Sequence, residues 1–105
     1  MNHQEKNAIH LVEQAVRALA TGPDDVKRRL RNAFIYHLGY VFEPDIPRDL
    51  APLLASIRER LTRKPRYEGQ STVESALFGM HKSTASKIAM DVFELYLSFS
   101  RRKYA

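Results

Sequence analysis

The sequence predicts an all-α protein, a single domain over residues 1–105 that folds as a compact bundle of about five helices with a C-terminal helical hairpin. Apolar residues recur at spacings of three and four along most of the chain, which places them on one face of a helix. Glycines and prolines cluster between these periodic segments, where helices begin and end. No segment shows the strict alternation of apolar and polar residues that is typical of a strand.

The first two helices are predicted by periodic apolar residues and by the turn residues that flank them. The first covers residues 4–20 and ends at Gly22, because glycine suits a C-terminal cap. Its inward residues are Ile9, Val12, Val16 and Leu19. Asp24 or Asp25 is expected to cap the second helix, which Gly39 closes. The predicted apolar face of this helix consists of Val26, Leu30, Ala33, Phe34, His37 and Leu38.

The third helix follows a connection over residues 40–47, which we expect to pack down onto the helices because it is rich in apolar residues. The helix begins near Asp49, and Pro52 falls in its first turn. Proline is tolerated there because the amide N–H that it lacks would have no acceptor within the helix. Pro65 ends it. Its apolar face is predicted to consist of Leu50, Leu53, Leu54, Ile57 and Leu61. Its opposite face carries the cations Arg58, Arg60, Arg63 and Lys64.

The last two helices form the predicted hairpin. Ser71 and Glu74 have the spacing of a capping box, which predicts the start of the fourth helix. Its inward residues are predicted to be Val73, Ala76, Leu77 and Met80. Ser83 is expected to cap the fifth helix. The apolar stripe of the fifth helix is predicted to consist of Ala85, Ile88, Ala89, Val92, Leu95, Tyr96 and Phe99.

Composition limits the classes of protein and of site that the chain can form. Apolar residues make up 44% of the chain and charged residues 28%, as in ordinary globular domains. No apolar run approaches the ~18 residues of a membrane span, and the start lacks a secretory signal pattern, so we expect a cytoplasmic protein. The absence of cysteine excludes disulfides, thiolate catalysis and cysteine-based zinc sites. His3 and His10 are too far apart to share one ion, and we expect no metal or cofactor.

The formal net charge is +5, and its distribution is uneven. Residues 1–57 carry seven basic and seven acidic side chains, whereas residues 58–105 carry ten basic and five acidic ones. Such a surface attracts polyanions by neutralising phosphates, although it also serves solubility alone. A first basic cluster on the second helix, which we interpret as a solvated face, consists of Lys27, Arg28, Arg29 and Arg31.

The turn at Gly79 carries the strongest functional signal in the chain. Ser75 is a small residue four positions before this glycine, and Phe78, just before it, is expected to act as an apolar anchor. Ala85 and Ile88 take the buried positions of the following helix. This arrangement resembles the turn of helix-turn-helix DNA-binding proteins over about twenty residues. The resemblance implies contacts to phosphates and base edges from Lys82, Ser83, Thr84, Ser86 and Lys87.

The polar loop before the fourth helix extends this hypothesis. Further phosphate contacts are predicted from Arg63, Lys64 and Arg66. The partner would then be double-stranded DNA or RNA. The alternative is an ordinary helical hairpin that serves as a scaffold, because Glu74 stands where the motif keeps an apolar residue and the last helix is long and apolar beyond Ile88.

A second resemblance concerns the second helix. Arg31 is followed by the polar Asn32, and His37 lies six positions after Arg31. This spacing resembles the motif of the HEPN family of helical ribonucleases, which implies metal-independent RNA cleavage by Arg31 and His37. The two side chains lie about 120° apart on a regular helix. Because His37 also falls on the apolar face, a packed core histidine is the alternative, and otherwise we expect no catalysis.

The last helix is apolar on two sides. Its outer flank, on the side opposite Ile88 and Leu95, carries Met90, Phe93 and Leu97. A helix that is apolar on two sides needs cover on both, which predicts a homodimer or another protein partner. Our leading interpretation is therefore a non-catalytic, nucleic-acid-binding regulatory protein. The alternatives are a protein–protein interaction module, such as an adaptor, inhibitor or assembly subunit, and a ribonuclease.

Overall fold

The computed structural model describes residues 2–62 and 72–103, without the side chain of Lys103. Within these residues the chain forms five α-helices and no strand, which confirms the predicted all-α bundle. The helices are α1 His3–Thr21, α2 Val26–Tyr36, α3 Ala51–Leu61, α4 Thr72–Phe78 and α5 Lys82–Lys103. Three single-turn 3₁₀ helices lie between α2 and α3, at Leu38–Tyr40, Glu43–Asp45 and Arg48–Leu50.

Both ends of α1 are capped. The Asn2 side chain accepts the Glu5 amide N–H at 2.8 Å, and the Glu5 carboxylate accepts the Asn2 N–H at 3.2 Å. Gly22 is the C-terminal cap, as predicted, and its N–H donates to the Ala18 carbonyl at 3.0 Å. Its φ is −65°, however, so the left-handed conformation that glycine often takes at a cap is not used here.

The second helix is shorter than the sequence predicts. Asp25 caps its start, because the Asp25 Oδ1 accepts the Arg28 amide N–H at 3.1 Å. The helix ends at Tyr36, and His37 leaves the helical conformation with φ −135° and ψ −69°. The prediction that α2 runs on to Gly39 is therefore wrong, since a tighter 3₁₀ turn replaces its last residues.

The connection between α2 and α3 packs onto the bundle, as expected. Val41 and Ile46 are buried in the core. Arg58 of α3 holds the connection in place by donating a hydrogen bond to the Val41 carbonyl. Its guanidinium also lies 5.7 Å from the ring centre of Phe34 and 5.3 Å from that of Phe42. Arg58 is thus a structural cation, and α3 ends at Leu61, before the predicted Pro65, which lies outside the described residues.

The core is formed where α5 packs against α1, α2 and α3. The predicted stripe of α5 is largely confirmed, with its most deeply buried members being Ala85, Ile88, Val92, Leu95 and Phe99. They meet the buried faces of the other helices, which include Val12, Leu30, Leu54, Ile57 and Leu61. An ion pair between Arg60 and Asp91, with a 2.6 Å contact, braces α3 against α5.

The fourth helix packs against α2 and α3, and a short turn of Gly79, Met80 and His81 leads into α5. Its predicted inward residues Val73, Ala76 and Leu77 are buried, and Met80 is half-buried against the core. Ser83 does not occupy the cap position of α5. The helix begins at Lys82, and the His81 carbonyl already accepts the Ala85 N–H at 3.0 Å. The predicted cap Ser71 of α4 lies outside the described residues.

Candidate nucleic-acid interface

An open groove of about 550 Å³ lies where α4 meets the N-terminal ends of α2 and α5. We call it the basic groove. The residues that line it are Asp25, Lys27, Arg28, Arg31, Glu74, Leu77, Phe78 and Lys82. Four of these side chains are cationic and two are acidic, so the formal charge of the groove is positive. The positive ends of the α2 and α5 dipoles add to this charge.

Asp25 joins the starts of α2 and α5. While its Oδ1 caps α2, its Oδ2 lies 3.8 Å from the Lys82 Nζ. The hydrogen bond from the Arg28 amide holds the pKa of the Asp25 carboxyl below its usual value, and the charge of Lys82 lowers that pKa further. The carboxylate therefore stays ionised near neutral pH and forms an exposed ion pair with Lys82 at the edge of the groove.

Arg31 is held in the wall of the basic groove. Its Nη2 donates to the Glu74 Oε1 at 3.1 Å, which links α2 to α4, and its Nη1 donates to the Asn32 Oδ1 at 3.1 Å. His37, the predicted partner of Arg31 in RNA cleavage, lies beyond the end of α2 and is half-buried. The alternative prediction of a core histidine is wrong, because His37 is only half-buried and does not belong to the buried core.

Not every cation of the first basic cluster faces solvent. The Arg29 Nη1 donates to the Leu19 carbonyl at 2.9 Å and thereby satisfies a carbonyl at the C-terminal end of α1. This arginine has a structural role that the sequence pattern did not predict. Lys27 and Arg28 line the groove instead. The cluster is therefore divided: Arg29 binds the C-terminal end of α1, and its neighbours lie in the groove at the start of α2.

The contact residues predicted on α5 all lie on its exposed surface. These residues are Lys82, Ser83, Thr84, Ser86 and Lys87. They occupy the first two turns of the helix, next to the buried Ala85, and Lys82 connects them to the basic groove. Arg63, Lys64 and Arg66, the other predicted phosphate contacts, lie outside the described residues.

Burial along the α4 turn follows the predicted pattern only in part. Ala85 and Ile88 are buried, as predicted for the stripe of α5, and Ser75 is buried as well. Phe78, however, is 63% exposed, so its predicted role as an apolar anchor is wrong. The reason is geometric: α4 turns Val73 and Leu77 inward, and a residue one position further round the helix points about 100° away.

Phe78 lines the basic groove on the surface, whereas the sequence pattern predicts it to be an apolar anchor. The ring lines the groove together with Leu77 and with cations of α2 and α5. Its only signal in the sequence was its position one residue after Leu77, the last inward residue within α4. Lys27 and Arg28 were visible as a basic cluster, but their convergence with Lys82 depends on how α2 and α5 meet.

The outer flank of α5 is a separate exposed surface. Met90 is 67% exposed and Phe93 is 47% exposed, whereas Leu97 is partly buried. This agrees with the predicted position of the three residues away from the core. Several other large apolar side chains are also exposed, namely Tyr36, Tyr40 and Phe42.

Other kinds of site have no counterpart in residues 2–62 and 72–103. Among them, no group of three or more histidine, aspartate or glutamate side chains has an arrangement that could hold a metal ion. No helix in this part of the chain combines the length and apolar character needed to cross a membrane. Comparison with known proteins returned no matching family model, no matching curated protein and no matching solved structure.

Proposed function

We propose that the protein is a small, basic, non-catalytic regulatory protein that binds nucleic acid through the N-terminal face of α5 and the adjoining basic groove. One observation carries the proposal: cations far apart in sequence line the same groove, namely Lys27, Arg28 and Arg31 of α2 and Lys82 of α5. The exposed polar residues at the start of α5 extend this surface. Its charge, shape and helix dipoles all suit a phosphate backbone.

The contacts divide by chemistry. Lys82 and Lys87 neutralise phosphates, while the hydroxyls of Ser83, Thr84 and Ser86 form hydrogen bonds to phosphates or base edges. The ion pair between Lys82 and Asp25 is exposed, and exposed pairs contribute little to stability. A phosphate can therefore replace Asp25 as the partner of Lys82 without unfolding the start of either helix.

Three arginines that do not line the groove bind other parts of the chain. Arg58 is bonded to the Val41 carbonyl, and Arg60 is paired with Asp91. Arg102 donates to the Asp49 carboxylate. At the basic groove, Arg28, Arg31 and Lys82 also form ion pairs, with Asp24, Glu74 and Asp25, but the four cations that line the groove still exceed these three acids.

The combined substitution Lys82→Ala and Lys87→Ala tests the proposal. We expect it to weaken binding of a labelled duplex at low salt by about tenfold or more, because two phosphate contacts are lost. A matched control removes two exposed cations of α1, Lys6 and Arg17, which do not line the groove. A gel shift with DNA and RNA measures retention, and the same lanes report any RNA cleavage.

The proposal fails if the unmodified protein retains neither DNA nor RNA at low salt. It also fails if the control pair weakens binding as much as the α5 pair, because the effect would then reflect net charge alone. Cleavage of RNA that disappears in His37→Ala would instead indicate a ribonuclease.

A second candidate function is protein–protein interaction through the outer flank of α5, most simply as a homodimer. The exposure of Met90 and Phe93 favours it, because large apolar side chains on one helix face commonly mark an interface. Sedimentation velocity at micromolar concentration is the direct test. A dimer that Phe93→Asp converts to a monomer supports this function, whereas a monomeric unmodified protein contradicts the homodimer.

A further inference from the structure

We propose that the basic groove receives one unpaired nucleotide, whose base stacks on Phe78 and whose phosphate is bound by the surrounding cations. The protein would then prefer nucleic acid with an unpaired stretch to a continuous duplex. This inference rests on the proposed function, which supplies the affinity for the phosphate backbone, and it adds a preference that the charge pattern alone does not imply.

The exposure of Phe78 is the first observation behind this inference. The ring is 63% exposed, although the neighbouring apolar residues of α4, Val73 and Leu77, are buried. The ring thus contributes little to the core. Proteins that bind single strands combine a positively charged groove with aromatic side chains on which bases stack. Phe78 and the cations of the basic groove have this arrangement.

The size of the groove is the second observation. Its volume of about 550 Å³ is in the usual range of sites for small ligands. A base within a continuous duplex has both faces covered by its neighbours and cannot offer one to Phe78. Only an unpaired, bulged or terminal nucleotide can place its base against the ring.

The cations around the ring provide the phosphate site. Arg31 is held by Glu74 and Asn32 through two contacts of 3.1 Å, so its planar guanidinium has a defined orientation in the wall. These two bonds use two of the five N–H donors of the guanidinium, and the others can donate to a phosphate. Arg28 and Lys82 stand at the ends of α2 and α5. The acids in the lining are outnumbered by the cations, and each already faces one of them.

Three oligonucleotide probes of the same sequence test the preference: a continuous duplex, the duplex with a one-nucleotide bulge, and the single strand. Fluorescence anisotropy at low salt gives the dissociation constant of each. We expect the bulged and single-stranded probes to bind roughly 5- to 100-fold more tightly than the duplex, the range that stacking of one base supports. Phe78→Ala should bring the ratio close to one, and Phe78→Tyr should preserve it.

Two comparisons make the result specific to the ring. Phe78→Leu keeps an apolar side chain but removes the aromatic face, so it should behave like Phe78→Ala. Tyr36→Ala removes an aromatic that is equally exposed, at 62%, but does not line the groove, so it should leave the ratio unchanged. Because both aromatics lie on the surface, these variants should retain the unfolding temperature of the unmodified protein within a few degrees.

The outcomes distinguish this inference from the proposed function. If all three probes bind with equal affinity, or if Phe78→Ala weakens them equally, the stacking site is ruled out while nucleic-acid binding stands. If no probe binds, the proposed function fails, and this inference fails with it. A preference for the bulged probe that depends on the aromatic ring of residue 78 supports both.

Discussion

Gly22 and Asp24 shape the turn between α1 and α2 in different ways. Gly22 has an ordinary φ of −65°, but a Cβ at this position would lie 2.6 Å from the Ala18 carbonyl oxygen and 2.9 Å from the Arg29 Cγ. Asp24 instead adopts the left-handed conformation, with φ 75°. Position 22 therefore requires glycine because neighbouring atoms leave no room for a Cβ. The strained left-handed conformation is taken by Asp24, which has a Cβ.

Substitution of Gly22 tests this assignment. We expect Gly22→Ala to lower the free energy of unfolding by ~1–3 kcal/mol, because the added methyl group collides with a backbone oxygen. Asp24→Gly is the matched variant and should be neutral or stabilising, since glycine accepts a positive φ. Urea unfolding followed by circular dichroism measures both. If the site were open, Gly22→Ala would stabilise the protein, because alanine lowers the conformational entropy of the unfolded chain. A more stable variant would therefore contradict the close contact.

Asp25 gives the protein a pH dependence at its acidic limit. The pKa of its carboxyl is lowered in the folded state, chiefly by the Arg28 amide, from an ordinary value near 3.8. Its stabilising contribution is fully present above that value and is lost as the pH falls through the lower folded pKa. The difference in urea midpoint between the unmodified protein and Asp25→Asn should therefore shrink between pH 6 and pH 2.5. A constant difference would show that the charge is not responsible.

Single-residue roles were the least predictable feature of the chain. Arg29 and Arg28 are adjacent and chemically identical, yet one satisfies a carbonyl of α1 and the other lines the groove. The distinction depends on where the end of α1 lies relative to α2, which no local spacing encodes. The exposure of Phe78 was missed for a related reason, since its environment depends on the rotation of α4 about its own axis.

Helix α5 shows how much a periodic pattern predicts. The buried stripe was predicted from spacing alone, and its central members Ile88, Val92 and Phe99 are fully buried. The ends of helices were less predictable. His37 fits the apolar spacing of α2 but lies outside the helix, because a 3₁₀ turn follows Tyr36. Periodicity therefore located the faces of the helices, whereas their boundaries depend on local capping.

The two sides of α5 should differ in their contribution to stability. We expect Phe99→Ala to cost ~3–5 kcal/mol, because the ring is fully buried between helices. Phe93→Ala removes the same ring from a 47% exposed position and should cost roughly 0.5 kcal/mol or less in a monomer. Urea unfolding at two protein concentrations measures both. A large cost of Phe93→Ala that grows with concentration would indicate that the ring is buried in a dimer.

On the scale of the whole molecule, the fold gathers cations from both halves of the chain at one groove. The sequence predicted a positive C-terminal half, but Arg58 and Arg60 of that half bind other parts of the chain. The N-terminal half, which is neutral in total, contributes Lys27, Arg28 and Arg31 to the basic groove. The location of the charge thus follows from the packing of α2 against α5 and could not be read from the charge of either half.

The salt dependence of nucleic-acid binding tests the central claim most directly. The measurement is the association constant for one bulged duplex, obtained by fluorescence anisotropy between about 20 and 200 mM salt, for the unmodified protein and the combined Lys82→Ala, Lys87→Ala variant. We expect a linear fall of log K with log salt, and a slope that is shallower by about two in the variant, because two phosphate contacts are missing. Identical slopes, or no binding at the lowest salt, would contradict the assignment of this surface to nucleic acid.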